Sequence, residues 1–105
     1  MGNKTMSTPI NKLPPIHPGE LLREDMEALG LSARALADAI GVPHNRVAAI
    51  LRGERTITAD TALRLATYFG TSPEVWMNLQ QTYDLKKTEH ERGKKIRAAV
   101  KRRAA

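Results

Sequence analysis

Apolar residues recur three and four positions apart along most of the chain, and no stretch alternates as a half-buried strand would, so the pattern predicts helices packed on helices. Five are legible in the sequence. The first runs from about Pro18 to Leu29, with Leu21, Leu22, Met26 and Leu29 inward and Gly30 closing it. Ser32 caps a second that turns Leu36, Ala37 and Ile40 to one side. Pro43 opens a third, because its fixed φ and missing N–H suit a helix start, and Val47, Ile50 and Leu51 face the same core. Thr58 caps a fourth carrying Leu63, Leu65, Ala66 and Phe69 up to Gly70. Ser72-Pro73-Glu74 begins the last, with a serine cap, a proline at the first helical position and a carboxylate near the positive helix end. That helix continues through Val75, Trp76, Leu79 and Tyr83.

Residues 31 to 52 carry the functional signal. Two short amphipathic helices joined at Gly41 make a helix-turn-helix, the arrangement that lays a helix in the major groove of DNA. At about 100° per residue, the stripe opposite Val47, Ile50 and Leu51 holds Asn45, Ala49 and Arg52, with Ala48 and Arg46 beside it. Small residues flanked by amide and guanidinium donors let a backbone approach base edges closely. His44, Asn45 and Arg46 project from the leading end, where such helices contact bases and where unpaired N–H groups receive phosphate. Asn pairs bidentately with adenine and Arg with guanine, each discriminating by roughly 1–3 kcal/mol. The competing reading is a polar outer face that meets only water. Gly41, Pro43 and Gly53 punctuate the two helices in a way that favours DNA.

The chain of 105 residues is sized for one domain, and four aromatic residues leave its core to Leu, Ile, Val and Ala. That domain is expected over 17–85. Residues 1–16, with Pro9, Pro14 and Pro15, read as an extended arm, and 86–105 as a basic tail. From residue 85 on, nine Lys and Arg face Glu89 and Glu91, a balance of +7, whereas the rest of the chain sums to −1. The tail therefore adds phosphate contacts, meets an acidic partner, or ends as solvated chain. No cysteine is present, which excludes disulfides and thiolate metal sites. The polar start and the lack of a long apolar run predict a cytoplasmic protein with no membrane contact. His17, His44 and His90 lack partners at ligand spacing, apart from Glu89 and Glu91 beside His90, so no metal and no cofactor are expected. No nucleophile-base-acid set falls on a motif, and the chain reads as non-catalytic.

Leu31-Ser32, Leu36-Ala37, Gly41-Val42 and the stop Leu51-Arg-Gly-Glu-Arg resemble the phage-repressor-like (Cro/C1, XRE) helix-turn-helix family, an all-α five-helix DNA-binding fold. Flanking motifs narrow this. His17-Pro18-Gly19-Glu20, Thr58-Ala-Asp-Thr-Ala-Leu-Arg-Leu-Ala and Gly70-Thr-Ser-Pro-Glu-Val-Trp-Met-Asn-Leu-Gln resemble the HigA antitoxins, over about Ile16 to Leu85. The resemblance implies a homodimer on the palindromic operator double-stranded DNA of its own operon. It also implies a protein partner, a co-transcribed HigB-like toxin that is a ribosome-associated mRNA endonuclease of the RelE type. By motif position it puts Pro43, His44, Asn45, Arg46 and Ala49 against bases. Ser32, Ala33, Arg34, Arg52, Gly53 and Arg55 fall where the fold grips phosphates. Ala49 departs from phage repressors that carry a longer polar side chain there, so readout leans on the leading end or on a thymine methyl.

Trp76, Leu79 and Tyr83 form a stripe that serves either the monomer core or a two-fold interface, and Trp76, Met77 and Tyr83 are the candidate dimer contacts, with Trp76 leaning to the core. Glu20, Glu24, Asp25 and Glu27 give the first helix an acidic face that complements a basic toxin or simply meets solvent, and the proline-rich arm is an equal candidate for the toxin contact. Two other functions compete with an autorepressing antitoxin: an inhibitor module whose DNA binding is vestigial, and a stand-alone transcriptional repressor.

Overall fold

In the computed structural model, which describes residues 14–104, the chain forms α1 (Pro18–Leu29), α2 (Ala33–Ile40), α3 (His44–Leu51), α4 (Ala59–Phe69) and α5 (Pro73–Ala99). No strand occurs among the described residues. Local capping explains most of the boundaries. Ser32 Oγ accepts the Ala35 N–H at 3.0 Å, Thr58 Oγ1 accepts the Thr61 N–H at 3.4 Å, and Ser72 Oγ accepts the Glu74 N–H at 3.1 Å. Each satisfies one of the N–H groups that a helix start leaves unpaired.

The cap of α1 is His17, whose Nδ1 accepts the Gly19 N–H at 2.9 Å. Its ring is buried and meets Tyr83 of α5 edge-on at a centroid distance of 4.8 Å. Gly19 follows for a steric reason. A Cβ there would stand 2.1 Å from the Ile50 carbonyl oxygen, so only glycine lets the first turn of α1 press against the end of α3.

The core gathers Leu22 and Met26 of α1, Leu36, Ala37 and Ile40 of α2, Val47 and Ile50 of α3, Ile57 of the loop, Ala62 and Leu65 of α4, and Trp76 of α5. Trp76 is 4% exposed, which removes it from the candidate dimer surface and makes it monomer core, tilted against Phe69. Two inward expectations are corrected. Leu63 is 57% exposed, because on α4 it lies about a quarter-turn from the buried stripe of Ala62, Leu65 and Ala66. Leu29 is 60% exposed in the last turn of α1, where Leu31 packs on the core instead.

The boundary expected at 85/86 falls inside one continuous helix. Lys, Glu, Arg and Ala between 86 and 99 are strong helix formers, and Lys87 pairs with Glu91 at 3.3 Å while Arg97 reaches back to Glu89. Of the expected arm, 14–16 have no regular secondary structure and 1–13 lie outside the described residues.

Two outcomes follow from the α1 junction. Gly19→Ala should cost about 1–3 kcal/mol through overpacking and lower the thermal midpoint by at least about 4 °C, an expectation that an unchanged melt would contradict. Burial pushes His17 below its usual 6.5, against Asp84, the Arg55 backbone and Glu20, which pull it up. The unfolded chain then binds more protons than the folded one just below 6.5, so stability is complete above that value and declines as pH falls through it. Melts at pH 7.5 and 5.5 should show this decline in the native protein and little of it in His17→Asn, whose amide oxygen still caps α1.

Candidate nucleic-acid interface

α3 buries Val47 and Ile50 and half-buries Leu51, which leaves His44 and Asn45 exposed at its leading end and Ala48 and Ala49 partly exposed along its middle. Arg52 is exposed at the far end. Pro43 sits one residue ahead of the helix as its N-cap (φ −62°, ψ 147°) and offers no side-chain cap. Of the five helices α3 alone starts without one. The His44 and Asn45 N–H groups therefore remain for water or an anion.

The turn before α3 is fixed from a distance. Gly41 adopts φ +74°, and Arg64 of α4 donates to the Ile40 and Gly41 carbonyls at 2.8 and 3.2 Å while its Nε donates to Asp60 at 2.7 Å. One guanidinium thus satisfies the carbonyl end of α2 and ties the turn to α4. Asp60 also draws Arg46, whose terminal nitrogen lies 3.9 Å away and whose Nε is buried without a partner. Arg46 consequently rests toward α4, beside the exposed stripe rather than on it. His44 Nε2 meets Asp38 Oδ1 of α2 at 2.9 Å on the outside of the turn.

Beyond α3 the chain reverses at Gly53 (φ +75°) and runs out past Arg52 and Arg55. Arg23 of α1 donates to the Leu51 carbonyl at 3.3 Å. Gln80 of α5 is buried, accepts the Ile57 N–H at 2.8 Å and donates to Asp84 at 3.0 Å. At the opposite flank Ser32 and Arg34 are exposed and Ala33 is half-buried, at the start of α2. The site is an open edge rather than a cleft. It presents imidazole, amide, guanidinium and backbone donors with methyl groups between them, which is suited to a surface rich in acceptors. Among the described residues no helix is long and apolar enough to cross a membrane, and no cluster of three or more His, Asp or Glu is placed to hold a metal.

A helix-turn-helix family model matches residues 22–76. An addiction-module antidote protein of the HigA family from Coxiella burnetii has 53% identity and a TM-score of 0.83, with 87% of this chain and all of that chain covered. The chain belongs to the HigA-type helix-turn-helix family. Virulence-associated protein I of Dichelobacter nodosus is 51% identical over 90 residues, 83% of each chain. The Pseudomonas aeruginosa antitoxin HigA, solved with the higBA promoter, has 43% identity and a TM-score of 0.80 over 83% of this chain and 96% of its own. In this HigA-type chain three supports of the site went unpredicted: His17 as a helix cap, Arg64 at the turn, and Gln80 under the loop. His17 directly ahead of Pro18 offered one local signal and the Asp60 and Arg64 spacing of four another, since i,i+4 charges meet on a helix, whereas nothing local marked Gln80.

Gln80→Leu leaves the Ile57 N–H buried without an acceptor, which should cost about 1–3 kcal/mol. Chemical denaturation of the variant checks this, and an unaltered midpoint would refute the buttress.

Proposed function

We propose that this chain is the antitoxin of a type II toxin-antitoxin pair, which represses its own operon by binding a palindromic operator as a homodimer and neutralises a HigB-like mRNA endonuclease in the cytoplasm. The observation that carries the reading is the open α3 edge in a chain 43% identical to an antitoxin solved with its promoter. Asn45 and His44 read bases at the leading end, with Pro43 beside them and Ala49 against a thymine methyl. Arg46 joins them on leaving Asp60, a contact too long and too exposed to hold it strongly. Ser32 and Ala33 offer phosphate the start of α2, and Arg34, Arg52, Gly53 and Arg55 hold the backbone on either side.

Two copies are needed for tight binding, since one short helix covers few bases and paired half-sites lie about 34 Å apart. Met77, 37% exposed, and the open edge of Tyr83 supply the remaining candidates for the interface between copies. The acidic outer face of α1 is the surface offered to a basic toxin. No reaction chemistry is required of the protein in this reading.

Asn45→Ala should weaken binding to the operon's own promoter by about 1–3 kcal/mol, roughly 5- to 150-fold, while scrambled DNA binds as before and the adjacent toxin still co-purifies. Equal affinity of native and variant protein for the promoter would dismiss base reading by this helix. Loss of toxin binding together with DNA binding would point to a fold defect, which a melt of the variant identifies.

A further inference from the structure

His44 is the first residue of α3, and its Nε2 lies 2.9 Å from the Asp38 carboxylate at the outer end of α2. The pair is exposed, with side-chain accessibilities of 46% and 68%. A carboxylate only accepts hydrogen bonds, so Nε2 carries the hydrogen and Nδ1 is the one ring nitrogen left for a ligand. On a neutral imidazole that nitrogen is a lone pair. The duplex offers mainly acceptors to such a position, namely phosphate oxygens and the O6 and N7 of guanine, and a lone pair facing them repels. A proton on Nδ1 turns the contact into a charge-assisted donor bond and pairs the imidazolium with Asp38. The bare carboxylate, by contrast, would repel the phosphates.

We propose that Asp38 is a positioning residue for His44 in operator binding, fixing the ring through Nε2 so that docking takes up one proton from solvent at Nδ1. The inference rests on the DNA-binding reading given above. No other charged group is arranged to substitute. On α4, Asp60 and Arg64 are bonded to each other, and Arg46, which shares α3 with His44, leans to Asp60. Asp38 is the one charged partner of the ring among the described residues. Histidine is also the side chain whose charge changes near neutral pH.

The test is fluorescence anisotropy of the full chain on its own promoter DNA between pH 6 and 8.5 at fixed ionic strength, with calorimetry in two buffers of different ionisation enthalpy to count protons. The native protein should bind more tightly as pH falls, by up to about tenfold per unit for each His44 that docks, and calorimetry should show net uptake. His44→Gln should flatten both, and since His17 and His90 are untouched, the difference belongs to this ring. Asp38→Asn should reduce the uptake while the melt stays near native. In promoter DNA carrying 7-deazaguanine, lost uptake assigns the acceptor to guanine N7, and retained uptake assigns it to O6 or to a phosphate. Promoter binding with the same pH dependence in native and His44→Gln protein overturns the proposal alone. Native uptake in Asp38→Asn overturns the role of Asp38. Absence of promoter binding at every pH overturns the operator reading and this inference with it.

Discussion

The contact on which the site depends is the absence of a side chain at Gly19. It lets the first turn of α1 stand against the Ile50 carbonyl, at a separation no Cβ tolerates. His17 caps that turn and packs on Tyr83, and Gln80 on the same helix α5 holds the Ile57 N–H. At the other end Arg64 ties the turn before α3 to α4. The eight residues of α3 are too few for a stable helix alone, so their rigidity comes from these neighbours. A reading helix needs such support, because its polar edge must stay in water until DNA arrives.

Sequence periodicity revealed the five helices and most of the inward positions, since Leu36, Ala37, Ile40, Val47 and Ile50 follow a 3.6-residue period that nothing else overrides. Ser32, Thr58 and Ser72 were legible as caps because each bonds an N–H only two or three residues away. The supports of the site were not. Arg64 meets the Ile40 carbonyl across 24 positions and Gln80 meets Ile57 across 23, and no local pattern marks such pairs. Arg46 is instructive. Its place beside the exposed stripe suggests a base contact, but its Nε is buried and Asp60 draws its tip, a relation only the packing of α4 creates. The outer half of α5 was missed for a different reason: a dense charge run suggests solvated chain, although its residues favour helix wherever like charges are offset by Glu89 and Glu91.

Charge is divided along this molecule. The helical body is close to neutral, so its hold on DNA relies on placed contacts more than on a general field. Positive charge concentrates on the outer half of α5 and the residues beyond it. At the exposed edge of α3 the carboxylate in contact with its first residue is Asp38, 2.9 Å from His44 Nε2.

Amide hydrogen exchange of the free chain against the same chain on its promoter DNA addresses the central claim most directly. The account predicts the largest slowing at the uncapped His44 and Asn45 amides, with lesser protection at 33–34 and 52–55 and none gained in the middle of α5. Slowing confined to α5, with the α3 amides unchanged, would contradict it.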